Sequence, residues 1–178
     1  MIAYKAFGRG LNCRGYQFHM GLNTTEEANC HKNGFHCAAN PLDCLSYYSL
    51  GDQTEFYIVN AGGDLDEDDV DSKISCTELT ILKKLDLWDF VAHALAYMFD
   101  HPKMVCNHTV QRESGGACQG FVIVRGKHPT AWGKNGDILA LAKESTDSER
   151  IVQIGMARVD GKKLLADVCY DVDLLPLS

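Results

Sequence analysis

No apolar run in this 178-residue sequence approaches the ~20 residues that a membrane-spanning helix requires, so no membrane association is expected. The opening MIAYKAF lacks a charged leader followed by an apolar segment and a cleavage site, which predicts a cytoplasmic protein. Basic charge is short as well: 17 lysines and arginines stand against 24 acids, for a formal net charge of -7. Sequence-independent binding to DNA or RNA gains its affinity by neutralising phosphates, and this balance argues against it. An acidic surface suits a basic protein partner instead. Repeats and low-complexity tracts are absent. The eight cysteines include no C-x-x-C pair. With 46% hydrophobic residues available for a core, they are expected as reduced thiols, most of them packing residues, rather than as a disulfide framework. Cys30-His31 and His36-Cys37 could supply zinc ligands, but neighbours in a strand point to opposite faces, so no metal is expected.

What is present is organised around GFHCAANPLDCLSYY, residues 34–48. Gly34 opens a short apolar strand, and Asn40-Pro41-Leu42-Asp43 then has the pattern of an N-cap, a proline at the first helical position and an acid in the first turn. Leu42, Leu45 and Tyr48 or Ser49 fall on one helical face, and Gly51 is a stop signal. His36 and Cys37 therefore sit at a strand-to-helix corner, where side chains commonly face a cleft. Arg14, Cys37 and Asn40 are the ligand-binding candidates of this region.

Strands are expected at residues 1–7, 13–18, 55–60 and 74–82. In the last of these, alternation places Ile74, Cys76, Glu78 and Thr80 on one face and Leu79 and Ile81 on the other. Six carboxylates fall within DLDEDDVD, residues 64–71. The glycine and terminal glutamate of a calcium loop are missing, so the stretch reads as a solvated acidic connection, with Asp66, Glu67, Asp68 and Asp69 as partner-binding candidates. An amphipathic helix is expected over 86–100, capped by Asp86, and an irregular segment over 103–118. Beyond Gly120 the pattern predicts a β meander with turns at Asn135-Gly136 and Asp160-Gly161. The fold class is thus α+β: a mainly antiparallel sheet with the pivot helix, one long helix and a C-terminal meander. Two regions, 1–85 and 86–178, are expected to pack as one unit.

Several of these stretches carry a family likeness. YKAF, LNCRGYQF, the pivot and DSKI resemble an uncharacterised N-terminal domain of phage and prophage proteins, over about half of the chain. DILALA and MARVDGKKLLADVCYDV resemble the closing segment of the same proteins, many of which carry alanine-, glycine- and serine-rich repeats in between. The likeness implies a phage source and no particular reaction. The order of elements also resembles mono-ADP-ribosyltransferases, with Lys5 at the basic position of the first strand, His36 at the second and Glu78 at the glutamate position. That resemblance implies NAD as cofactor and catalytic roles for Lys5, His36 and Glu78; the usual arginine is a lysine here, and the serine is absent. A Cys-His protease built on Cys37 or Cys13 with His36 or His93 has no local signature. The function expected is a phage- or prophage-encoded accessory or anti-defence protein, needing no cofactor, that binds a host protein or complex or a nucleotide-like ligand. NAD-dependent transfer is the alternative.

Overall fold

Alternation fixes the first strand, β1 (Ile2–Gly8), in which Ala3, Lys5 and Phe7 share one face and Tyr4 and Ala6 the other. The computed structural model describes residues 1–30, 32–51, 53–67 and 72–177. It divides into two units, Met1–Phe90 and a second from Val91 onward. In the first unit β1 is followed by β2 (Asn12–Cys13), β3 (Tyr16–Gln17), β4 (Gly21–Thr24), β5 (Phe35–Ala38), a 3-10 helix (Pro41–Ser46), β6 (Thr54–Glu67) and β7 (Lys73–Leu85). The helix α1 (Leu87–Asp100) begins after Asp86, whose carboxylate accepts the Asp89 amide at 2.7 Å.

All pairings of the first unit are antiparallel, and four of its strands form a ring. One edge of β6 pairs with β1, from Ile2 opposite Asn60 to Gly8 opposite Thr54, and its other edge pairs with β7. β5 lies against β7, with Phe35 opposite Cys76, and Tyr4 opposite Ala38 brings β5 back to β1. A single apolar cluster draws on every ring strand: Ala3 and Phe7, Phe35 and Cys37, Tyr57 and Val59, Ile74 and Leu79. Each large side chain fully buried there contributes about 1.5–3 kcal/mol. The ring is therefore a small barrel filled by its own side chains.

Two expectations about this unit change. The pivot helix ends at Ser46 as a 3-10 helix, closed by i to i+3 bonds such as Asp43 N to Asn40 O at 3.1 Å. Glu78 does not share a face with Ile74 and Cys76: those two enter the enclosed core together with Leu79 and Ile81, while Glu78 is exposed. A bulge in the partner strand β6, between Gly62 and Leu65, accompanies this change of alternation.

The second unit contains no C-terminal meander among its described residues. β8 (Val110–Gly116), β9 (Phe121–Trp132) and β10 (Ile138–Glu144) run parallel to one another, and only β11 (Ile151–Arg158) is antiparallel, on β10. Val110 lies opposite Ile123 and, past a bend at Glu113, Ser114 lies opposite Thr130; Phe121 then lies opposite Ile138. Successive passes thus stack as turns of a coil, a route that lets parallel strands be joined by short connections. The reason is visible in β10, where Ile138, Leu139, Ala140, Leu141 and Ala142 are all buried, as in strands covered on both faces. At Asp160-Gly161 a turn does form, its carboxylate accepting the amides of Lys162, Lys163 and Leu164. Residues 163–170 form no strand after it; Tyr170 instead exchanges backbone bonds of 2.8 and 2.9 Å with Ala131. The segment expected to be irregular contains β8.

Candidate functional site

Lys5 occupies the inward face of β1 between Ala3 and Phe7, with the core residue Tyr57 opposite it on β6. Only 6% of the residue is exposed. Its ammonium donates to the His36 carbonyl at 2.6 Å and lies 3.8 Å from the Cys13 sulfur. It also sits 5.1 Å and 5.5 Å from the ring centroids of Phe7 and Phe18. Cation–π contacts of this kind contribute about 0.5–2 kcal/mol each, and a charge-assisted bond to a carbonyl adds to them. Among the described residues no carboxylate forms an ion pair with Lys5. A buried ammonium with one strong acceptor is thus the most unusual electrostatic feature of the barrel.

Thiols and a phenol surround it. The Cys13 sulfur lies 2.9 Å from the Tyr48 hydroxyl. Burial, and then the bond to Cys13, raise the Tyr48 hydroxyl above the usual tyrosine range, so it remains a neutral donor. The neighbouring Cys76, and then burial, raise the Cys37 thiol well above its ordinary value and hold it protonated. Burial pushes Cys44 up to about 12, against the opposing pull of Lys5. All eight cysteines are free thiols; Cys37, Cys44 and Cys76 are buried and Cys118 is exposed. Among the described residues no group of three or more His, Cys, Asp or Glu side chains could hold a metal ion.

The three residues that the ADP-ribosyltransferase likeness would make catalytic do not converge. Lys5 is enclosed by the barrel and meets His36 only through the latter's carbonyl, because the His36 side chain leaves β5 on the face opposite Phe35 and Cys37. Glu78 stands exposed on β7, opposite Gly62 of β6. Cys37 lies inside the barrel and Arg14 outside it, in the β2–β3 turn, where Arg14 and Gly15 both take positive φ of 50° and 81°. Asn40 caps the 3-10 helix: its side-chain oxygen accepts the Leu42 amide at 3.1 Å, and its own amide donates to Ser72 Oγ at 2.8 Å. Ser72 in turn donates to the buried Asp43 carboxylate at 2.6 Å. Asp66 accepts the Cys30 amide at 2.6 Å, Glu67 is exposed, and Asp68 and Asp69 lie outside the described residues.

A family model described as a domain of unknown function (DUF7666) matches residues 1–93, more than half of the chain. The chain belongs to that family. Its span takes in the whole barrel and every candidate residue named above. Neither a curated protein nor a solved structure matches the chain.

Within the DUF7666 region, sequence patterning assigned Tyr48 to the apolar face of a helix and gave it no role beside Cys13. The signal that could have found it is the hairpin C-R-G-Y: a two-residue turn at Arg14-Gly15 fixes Cys13 opposite Tyr16, hence near the strand that carries Lys5. Beyond that region, the exposed Arg112 makes two bonds of 2.9 Å to the Glu144 carboxylate. The buried Arg125 adds a third at 2.6 Å.

Proposed function

We propose that the chain is a phage- or prophage-encoded accessory protein of the anti-defence kind, which acts by binding a host protein or protein complex and performs no transfer from NAD. The observation that carries this reading is the separation of Lys5 from Glu78. A glycosidic bond at NAD would need a group holding its pyrophosphate and a carboxylate facing the same ribose. Here the first lies within the barrel and the second on its exterior. Binding requires only a shaped, chemically matched surface, and the end of β6 offers one: Asp64, Leu65, Asp66 and Glu67 are all exposed, in a chain of net charge -7. Such a strip suits a basic protein face with an apolar centre. No helix among the described residues is long and apolar enough to cross a membrane.

The test uses the full chain and two readouts. In the first, the immobilised protein is incubated with bacterial lysate, and retained proteins are compared with those retained by a variant carrying Asp64→Asn and Glu67→Gln. Asp66 is left in place, so its bond to Cys30 is kept. A basic protein retained by the parent and lost from the variant, with the difference largest at low salt, is expected. Identical retention by both proteins removes this strip from the interface. In the second, labelled NAD is followed for nicotinamide release and label transfer; turnover that Glu78→Gln abolishes would overturn the binding reading.

A further inference from the structure

Lys5, Cys13 and Tyr48 form a cluster that partner binding does not use. Their chemistry is unequal: a thiol, a phenol that stays protonated, and an ammonium enclosed by aromatic rings. Lys5 is more than nine-tenths buried; its ammonium donates to the His36 carbonyl at 2.6 Å, lies 3.8 Å from the Cys13 sulfur, and has no carboxylate in ion-pair contact among the described residues. What the cluster lacks is a negative charge, and Cys13 is where one can arise. Unlike Cys37, Cys44 and Cys76, Cys13 is only partly buried, so a small reagent can reach it.

We propose that Cys13 is a hydroperoxide-reactive thiol, oxidised to a sulfenic acid whose anion is held by Lys5 and Tyr48. The thiol releases its proton to solvent, and the sulfur attacks the terminal oxygen of a hydroperoxide ROOH. A sulfur–oxygen bond forms as the O–O bond breaks. Sulfur is oxidised by two electrons, and the hydroperoxide is reduced to an alkoxide that takes up a proton, so that Cys13–SH and ROOH become Cys13–SOH and ROH. The Lys5 ammonium and the Tyr48 hydroxyl both approach that sulfur, and the hydroxyl can donate first to it and then to the product oxygen. Deprotonated, the sulfenic acid supplies the counter-charge that Lys5 otherwise lacks. Cys118 is the natural internal control, since it is the more exposed thiol.

The experiment treats the full chain with hydrogen peroxide in the presence of a sulfenic-acid trap and follows each cysteine by peptide mass spectrometry. Trapping at Cys13 about ten-fold faster than at Cys118 is expected, because activation and not exposure sets the rate. Tyr48→Phe removes the donor alone and should slow Cys13 about three-fold or more while leaving Cys118 unchanged. Lys5→Met should slow it further; if that variant does not fold, Tyr48→Phe decides. Trapping at Cys13 no faster than at Cys118 overturns the proposal, and so does fast trapping that Tyr48→Phe leaves unaltered.

Discussion

Among the described residues each unit buries one lysine or arginine, Lys5 or Arg125, and the two are housed in opposite ways. Arg125 of the second unit is 2% exposed and saturated: it pairs with Glu144 at 2.6 Å, donates to the carbonyls of Pro102 at 2.6 Å and Glu149 at 2.8 Å, and lies 3.4 Å from the Cys106 sulfur. Lys5 of the barrel is nearly as buried but has one carbonyl, one distant thiol and two aromatic faces. The planar guanidinium serves several acceptors at once, so Arg125 ties a strand to two flanking segments. A single-pointed ammonium ties far less together. Arg125 belongs to the architecture of its unit, whereas Lys5 is held by fewer partners and leaves more of its bonding capacity unspent.

The contrast is sharpest in substitutions. Arg125→Met leaves the buried Glu144 with Arg112 alone and frees two carbonyls, and should cost about 3–5 kcal/mol in denaturant unfolding. A loss below about 1 kcal/mol would erase the distinction. The next effect concerns acid. Burial alone would raise the Glu144 carboxyl, but the bonds and charges of Arg112 and Arg125 outweigh it and hold the group below its ordinary value of 4.5. A depressed folded value means stability that is present above pH 4.5 and lost as pH falls through the lower folded value. Unfolding followed downward from pH 4.5 should therefore be less steeply pH-dependent in Glu144→Gln than in the parent, and equal slopes would refute the assignment. The smallest change belongs to Lys5→Met, which replaces an ammonium by an apolar chain of similar length. Stability should stay within about 1 kcal/mol of the parent or rise, and a loss above about 2 kcal/mol would show Lys5 to be as structural as Arg125.

The same contrast separates what could be read in the sequence from what could not. The cap Asn40-Pro41 and the strand at residues 1–7 were legible because local backbone preference and two-residue alternation decide them. Enclosure was not legible, since it depends on β5 returning to β1 through Tyr4 and Ala38, a pairing between segments with no local signature. In the second unit, Asn135-Gly136 and Asp160-Gly161 suggested hairpins. Turn residues report where a chain bends and not the direction in which the next strand pairs. The unbroken apolar run ILALA was the better signal, because only a strand covered on both faces sustains it. VQRESGG escaped notice as a strand because it is polar; its pairing to β9, and the Glu113 carboxylate that accepts the amides of Lys127 and His128, hold it in place. Glu78 misled because the inward face of β7 changes between Cys76 and Leu79, where its register with β6 shifts, and simple alternation does not foresee that.

Closure of the ring also sets a timetable for synthesis. β1 leaves the ribosome before its partners do, and its longest pairing, from Ile2 with Asn60 to Gly8 with Thr54, needs a strand made some fifty residues later. At about 5–20 residues per second, IAYKAF waits for seconds with its apolar side chains and strand edge uncovered. Lysine in the middle of that run is a gatekeeper during the interval: a charge in an otherwise sticky segment discourages pairing with other nascent chains before β6 arrives.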